Sequence, residues 1–152
     1  MANRNGKVIS VSSVKGGVGK TTMVTNLAGI YYMMKKKVLI IDADFYSGGI
    51  SLWLDIRNKK DIFMMCDSFS NNRYSNIKDY VVSYNNGIDV LGCPKDPRCA
   101  LKIDSKYIPI WLAGYKKIID YEIGKISNNG KFYIFINVDV SDRGDVDHRG
   151  SD

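Results

Sequence analysis

Short apolar runs alternate along the chain with segments whose apolar residues recur at helical spacing. The runs Lys7–Ser12, Val38–Ile41 and Ile88–Leu91 are of strand length and rich in β-branched residues, so each predicts a buried β-strand. Between the first two runs, apolar residues recur every three or four positions, which predicts a helix from Thr22 to about Met34. The residues on the apolar face of this helix are Val24, Leu27, Ala28, Tyr31 and Met34.

The second half of the chain repeats this order. Apolar residues at helical spacing predict a helix over residues 111–126, and the apolar run Phe132–Ile136 predicts a strand within Lys131–Val140. Between the halves, residues 46–60 are predicted as mostly loop with a short apolar turn at Leu52–Leu54, and Asn76–Tyr84 is predicted as helical.

The alternation of strand and helix predicts an α/β fold, a parallel sheet with right-handed crossovers and helices on its faces. Residues 1–140 are expected to form one domain. The polar residues 141–152 are expected to form a flexible tail.

Composition narrows the class of protein without identifying a ligand. The 152 residues include 22 Lys and Arg against 16 Asp and Glu, a net charge of +6, but much of the excess is local and does not by itself indicate DNA binding. No apolar run approaches the ~20 residues of a membrane span, and the N-terminus lacks the apolar segment of a secretory signal. The three cysteines form no C-x-x-C pair, which argues against a disulfide framework or a zinc site. A cytoplasmic protein is therefore expected.

The clearest chemical signal lies between the first strand and the first helix, in the segment Val14-Lys15-Gly16-Gly17-Val18-Gly19-Lys20-Thr21-Thr22. A phosphate-binding loop needs glycines, because backbone N–H groups must converge on the anion without intervening side chains. It also needs a helix N-terminus behind it, where the dipole favours negative charge. Lys20 would supply charge for the β- and γ-phosphates, and the Thr21 hydroxyl would ligate Mg²⁺.

Two carboxylates follow the second predicted strand. Asp42 and Asp44 are two residues apart, so they share a face of an extended strand, at the carboxyl end where open α/β sheets bind ligands. Near a phosphate-bound Mg²⁺, one carboxylate can hold the water shell of the metal and the other can orient attacking water.

These segments resemble the ParA/MinD ATPases, which carry a deviant Walker A motif. The resemblance rests on Lys15–Thr22, then Asn26-Leu27-Ala28, then Lys37–Asp44, and it extends over roughly residues 7–140. It implies a P-loop NTPase fold of the SIMIBI type and ATP bound by Lys15, Gly16, Gly17, Val18, Gly19, Lys20, Thr21 and Thr22. Members of the family are longer, so the resemblance implies a fold that stops after the Walker B strand.

The resemblance also implies roles for individual residues. Lys15 would be the signature lysine that reaches the phosphates of a partner subunit in an ATP-dependent homodimer. Asp42 would lie near Mg²⁺, and Asp44 would position the attacking water.

At the acidic position of the Walker B strand this chain has Asn137, whose neutral amide binds Mg²⁺ less strongly than a carboxylate. Asp139 lies two residues on and is the alternative metal residue.

Two functions remain open from the sequence. The first is an ATPase whose ATP-dependent dimerisation positions DNA, division machinery or a pilus machine, and the second is a hydrolysis-deficient nucleotide-binding adaptor, suggested by Asn137. The stretch Asp61–Pro97 also resembles the pilus-localising CpaE/TadZ branch. The protein partner is not readable from the sequence, and neither DNA nor peripheral membrane association is excluded.

Overall fold

Strands and helices alternate along the described part of the chain. The structure is a computed structural model that describes residues 7–13, 19–45, 48–75, 77–101 and 132–139. In chain order the elements are β1 (Lys7–Ser13), α1 (Lys20–Met33), β2 (Lys37–Asp42), α2 (Ile50–Trp53), α3 (Ile62–Ser70), a 3-10 turn (Ile77–Asp79), β3 (Val82–Tyr84), β4 (Ile88–Leu91), α4 (Pro97–Leu101) and β5 (Phe132–Asp139). The first three predicted strands and the first helix are confirmed to within two residues at each end, and β5 is confirmed within the predicted span Lys131–Val140.

The five strands form one sheet in the order β1-β5-β2-β4-β3. β5 is parallel to β1 on one side and to β2 on the other, and β2 is parallel to β4. The prediction of a parallel sheet is therefore confirmed for four strands. The fifth strand, β3, lies in a segment predicted as helical, and it pairs antiparallel with β4 at the edge of the sheet.

The helix predicted over Asn76–Tyr84 is wrong. The described part of this segment is a single 3-10 turn followed by β3, which joins β4 in a hairpin. Asn85 and Asn86 both take left-handed backbone conformations, with φ of 52° and 55°, and asparagine adopts this region more readily than most residues. Two left-handed residues end an extended segment and reverse the chain, which favours a hairpin over a helix.

Helix α3 was not predicted from the apolar pattern, although its N-terminus carries a recognisable capping residue. Asp61 precedes the helix in an extended conformation, and its Oδ1 accepts a hydrogen bond of 2.9 Å from the backbone N–H of Met64. Ile62 and Met65 then bury one face of the helix. An N-cap and a short apolar stripe favour this helix. A segment of nine residues is too short for the stripe to give a clear helical pattern in the sequence.

Helices cover both faces of the sheet, as the continuous apolar strands require. On one face, α1 and α2 pack on alternate residues of β2 and β4, and the buried members of this cluster are Val24, Ala28, Val38, Ile40, Ile50, Ile88 and Val90. On the other face, α3 and the 3-10 turn pack on Ile41 and Leu91. Because side chains alternate along β2, Asp42 falls on the α1 side together with Val38 and Ile40.

Several predictions fall outside the described residues: the helix over 111–126, the tail 141–152 and the phosphate loop from Val14 to Val18. In the described residues, no helix combines the length and the apolar character that a membrane crossing requires.

Candidate functional site

Two buried polar residues lie side by side near the carboxyl ends of the second and fifth strands. Asn137 of β5 is in register with Val11 of β1 on one side and with Asp42 of β2 on the other. Register partners in a parallel sheet point to the same face, so Asn137 and Asp42 both lie on the side covered by α1. Both side chains are completely buried. This carboxyl edge of a parallel sheet is where α/β folds place their ligands.

The N-terminus of α1 is directed at the same place. Gly19 precedes the helix with φ of 96°, a left-handed conformation, and a Cβ added there would meet no atom within 4 Å. Glycine is therefore favoured here by the left-handed backbone conformation, whereas the surrounding space would admit a side chain. Lys20 and Thr21 follow in the first turn, and this turn contains no acidic residue of its own to offset the positive end of the helix dipole.

Asn137 joins the helix to the sheet. Its Nδ2 donates to Thr21 Oγ1 at 3.4 Å and to Asp42 Oδ1 at 3.3 Å. Its backbone carbonyl accepts from Ala43 N–H at 2.8 Å, which extends the pairing of β5 with β2 one residue beyond the strand. The oxygen Asn137 Oδ1 is buried and has no hydrogen-bond partner among the described residues. A buried amide oxygen of this kind is costly unless a donor or a cation reaches it.

The carboxylate of Asp42 organises the segment that follows β2. Its Oδ1 accepts from the backbone N–H of Asp44 at 3.3 Å, and its Oδ2 accepts from the backbone N–H of Ile50, also at 3.3 Å. Burial raises the pKa of Asp42 from 3.8 to about 6, and repulsion from the nearby Asp44 carboxylate adds to this, against the hydrogen bonds that lower it. Asp44 is itself buried, so the structure brings the two predicted carboxylates together.

The donor atoms at this site fit Mg²⁺. The Thr21 hydroxyl, the Asp42 carboxylate and the unpartnered oxygen of Asn137 are all oxygen ligands, the type that Mg²⁺ prefers. Among the described residues, no three or more His, Cys, Asp or Glu side chains are grouped so that they could hold a metal ion. Mg²⁺ is commonly bound by one or two carboxylates together with substrate phosphates, so this set matches a phosphate-linked ion better than a metal bound by protein alone.

The other predicted site residues divide into two groups. The first group, Thr22 and Asp139, lies within the described residues. Thr22 is exposed, and its backbone carbonyl accepts hydrogen bonds from the side chains of Thr25 and Asn26. Asp139 lies in β5, in register with Ser13 of β1. Lys15, Gly16, Gly17 and Val18 lie outside the described residues. Their assignment to a phosphate site stays a prediction.

Two neighbours of the site were missed by sequence reasoning. The Cys93 thiol has its pKa raised to about 12, first by burial and then by the carboxylates of Asp42, Asp44 and Asp61, so it is held as the neutral thiol. Gly48 lies so close to Cys93 Sγ that a Cβ there would overlap the sulfur. The Gly48-Gly49 pair was the available signal, because paired glycines often mark a close approach of backbone to other atoms.

Residues 6–99 match the family model described as AAA domain, which is more than half of the chain. An uncharacterized ATP-binding protein of Methanocaldococcus jannaschii is 32% identical over 139 residues, covering 91% of this chain and 46% of the relative.

Solved structures agree with the family match. The cell division ATPase MinD of Pyrococcus furiosus superposes with a TM-score of 0.62 at 25% identity, and the alignment covers 86% of this chain and 48% of MinD. The septum site-determining protein MinD of Pyrococcus horikoshii, complexed with Mg-ADP, gives a TM-score of 0.60 at 21% identity with the same coverage. The chain thus spans about half the length of the proteins it matches.

Proposed function

Since this chain belongs to the ParA/MinD family of P-loop ATPases, we propose that it binds ATP with Mg²⁺ and uses the nucleotide as a switch. The nucleotide phosphates would lie at the N-terminus of α1, over the carboxyl ends of β1, β5 and β2. Self-association of two ATP-bound copies, with Lys15 contacting the phosphates of the opposite copy, is part of this proposal.

One observation carries the proposal: Asn137 bridges Thr21 at the start of α1 to Asp42 at the end of β2, all within hydrogen-bond distance. These residues are far apart in sequence, and the Walker-type motif needs its helix N-terminus and the acidic strand end to meet. The left-handed conformation of Gly19 directly before Lys20 supports the same site, because it starts the helix at the position where phosphates would bind.

Each residue has a distinct task in the proposed site. The ammonium of Lys20 would contact the β- and γ-phosphates, and the hydroxyl of Thr21 and the carboxylate of Asp42 would hold Mg²⁺ directly or through its water. When bound, Mg²⁺ offsets the negative charge of the phosphates. Asp44, buried beside Asp42, would accept a hydrogen bond from the attacking water and so orient it.

A second function is favoured by a specific observation, the neutral side chain of Asn137. In this alternative the protein binds Mg-ATP but hydrolyses it poorly, and it acts as a nucleotide-binding adaptor. The amide supplies no charge for the metal, and its Nδ2 already donates to both neighbours. Whether Asp139 supplies the missing carboxylate stays a prediction, as does the likeness to the CpaE/TadZ branch.

A paired experiment separates the two functions. Purified chain is titrated with ATP and ADP by calorimetry with and without Mg²⁺, and phosphate release is followed in the same preparations. Binding with turnover supports the ATPase, and binding without turnover supports the adaptor. Absence of nucleotide binding, in a sample whose folding is verified by circular dichroism, contradicts both.

Gel filtration of the same samples tests the proposed self-association. We expect a shift to larger size only with Mg-ATP. A single monomeric peak at saturating ATP contradicts the dimer part of the proposal and leaves the binding site intact.

A further inference from the structure

A short apolar element protrudes beside the proposed nucleotide site. Helix α2 buries Ile50 in the core, but the next two large apolar residues face solvent: Leu52 is 87% exposed and Trp53 is 63% exposed. Exposure of a single apolar side chain is ordinary, whereas an adjacent Leu and Trp on one helical turn form a local apolar surface. Trp is also among the residues that dominate binding energy at protein interfaces.

Basic side chains lie in the loop that follows this apolar pair. Arg57 and Lys59 follow α2 in the chain, and both are exposed. The buried residue between them, Asn58, donates from Nδ2 to Ser51 Oγ at 3.1 Å, which holds this loop against α2. Lys95, which is 36 residues further along, reaches the same place, because its Nζ donates to the carbonyl oxygen of Lys59 at 3.2 Å.

We define the basic-apolar surface as Leu52, Trp53, Arg57, Lys59 and Lys95. One acidic residue, the exposed Asp55, lies in the same loop. Lys60 is directed elsewhere, since its Nζ lies 5.1 Å from the centroid of the Tyr80 ring. The surface therefore combines two apolar side chains with a clear excess of positive charge.

The base of this surface is tied to the proposed nucleotide site. The backbone N–H of Ile50, the first residue of α2, donates to Asp42 Oδ2, and Asp42 Oδ1 accepts from Asp44 N–H and from Asn137 Nδ2. A single buried carboxylate thus holds α2 and also faces Thr21 through Asn137. Any ligand that changes the hydrogen bonds of Asp42 changes the anchor of α2.

We propose that the basic-apolar surface docks an acidic polypeptide segment that carries apolar side chains, and that nucleotide at the Asp42 site alters this docking. The proposal of coupling rests on the proposed function; the docking itself does not. Charge complementarity argues for an acidic partner, with Leu52 and Trp53 as the apolar contacts.

The other occupants fit less well. A second copy related by two-fold symmetry would place this basic surface against itself, which costs free energy. A nucleic acid would use the cations but gives no contact to the exposed Leu52. Interfacial membrane segments are longer amphipathic helices, whereas α2 has a single turn.

Fluorescence of Trp53 tests the surface directly. The chain has two tryptophans, so Trp111→Phe leaves Trp53 as the reporter. Iodide is anionic and acrylamide is neutral, so the ratio of iodide quenching to acrylamide quenching reports the charge around Trp53. We expect this ratio to be higher in Trp111→Phe than in the same protein with Arg57→Glu and Lys59→Glu added. Mg-ATP is expected to change the emission or the quenching of Trp53. Equal iodide-to-acrylamide ratios in the two proteins would overturn the assignment of a basic surface around Trp53.

Binding is tested with labelled peptides by fluorescence anisotropy. The probe is a short peptide of alternating Glu and Leu; one comparison peptide replaces Glu by Lys, and another replaces Leu by Ser. We expect the Glu-Leu peptide to bind, with Trp53→Ser and the double charge variant each weakening it about tenfold. Met33→Ser and Lys35→Glu alter an exposed Met and an exposed Lys on α1 and in the turn after it, and serve as matched controls that keep wild-type affinity.

The remaining outcomes are decisive. Failure of the Glu-Leu peptide to bind, or equal binding of the Glu-Ser peptide, overturns the docking proposal. Binding of phosphatidylserine vesicles or of duplex DNA through Arg57 and Lys59, in place of the peptide, also overturns it.

Nucleotide binding is measured separately in each sample with a fluorescent ATP analogue. If the analogue binds and peptide affinity is unchanged, the coupling is wrong while the proposed function stands. If the analogue does not bind, the proposed function fails, and docking is judged from the peptide data alone.

Discussion

Lys20 is the first residue of α1 and follows directly after the left-handed Gly19, so its charge adds to the positive end of the helix dipole. We predict that Lys20→Ala weakens ATP binding by about one to two orders of magnitude, because a hydrogen bond to a charged group contributes about 1.5–3 kcal/mol. ADP should lose less, since part of the contact is to the γ-phosphate. Calorimetric titration measures both, and the exposed Lys35→Ala is the matched control. Unchanged ATP affinity in Lys20→Ala would contradict the phosphate site.

Asn137 occupies the position where a carboxylate is expected, and it touches both Thr21 and Asp42. We predict that Asn137→Asp raises ATP turnover, because a second carboxylate adds charge beside the metal. The same substitution should lower the stability of the metal-free protein by about 1–3 kcal/mol, since two buried carboxylates would be in contact. Phosphate release and urea unfolding, each with and without Mg²⁺, measure these effects.

The register of β5 provides the control for this prediction. Asp139 lies two residues beyond Asn137 and is opposite Ser13. If Asp139 already serves the metal, Asn137→Asp changes turnover little and Asp139→Asn stops it. If neither substitution alters phosphate release from an active protein, the role given to this strand end is wrong.

Asp42 gives the site a pH dependence, because burial raises its pKa to about 6. Mg²⁺ requires the ionised carboxylate, so we predict that the Mg²⁺ enhancement of nucleotide binding weakens about tenfold per pH unit below pH 6. Titrations from pH 7.5 to pH 5 measure this, and the dependence should be smaller in Asp42→Asn, where the terminal phosphate of the nucleotide still titrates. A flat profile in the wild-type chain would show that the protonation of Asp42 is not linked to the metal.

The stability of the metal-free protein should change in the opposite direction. The folded-state pKa of Asp42 lies above its ordinary value of 3.8, so folding favours the protonated form. Its contribution to stability is complete below pH 3.8 and is lost as the pH rises through 6. Metal-free unfolding curves therefore separate this contribution from metal binding.

At the scale of elements, Asp61 links α3 to the loop after β4. Its Oδ1 caps α3 at Met64 N–H, and its Oδ2 accepts from the backbone N–H of Lys95 at 3.1 Å. The Asp61 side chain is only 5% exposed, and loss of its carboxylate leaves two partly buried backbone donors without this partner. We predict that Asp61→Ala lowers the free energy of unfolding by about 2–3 kcal/mol, measured by urea denaturation.

Asp67 provides a contrast on the same helix. It forms an exposed ion pair with Arg73 at 3.1 Å, and exposed pairs contribute little. Asp67→Ala should therefore cost less than about 1 kcal/mol. A similar loss in both variants would mean that the capping and bridging roles of Asp61 are not what stabilises this region.

The strands and helices also show which elements can be predicted from the local sequence pattern. The four parallel strands and α1 could be predicted because continuous apolar runs and helical spacing each repeat over enough residues. Helix α3 and strand β3 could not, because each is short and depends on particular residues: the Asp61 cap in one case, and the left-handed Asn85 and Asn86 in the other. Such residues bias the backbone locally, but packing against the sheet decides the outcome.

For the whole molecule, the proposed switch depends on contacts between copies. We predict that Lys15→Ala leaves nucleotide binding by the monomer largely intact and abolishes ATP-dependent self-association, because its side chain would contact the phosphates of the partner. Sedimentation or gel filtration with Mg-ATP measures the association, and calorimetry measures the binding. Loss of both properties together would place Lys15 in its own nucleotide site instead.

By itself the sequence determined the phosphate motif, the pair Asp42 and Asp44, the main strands and the family. These features are local in the chain: glycine conformation, residue type and periodicity act over a few positions. The tertiary structure alone decided that β5 lies between β1 and β2, which places Asn137 against Thr21 and Asp42. It also brought Lys95 beside Lys59 and tied α2 to Asp42. These contacts join residues far apart in sequence, and strand order and sheet register create them, which no local pattern encodes.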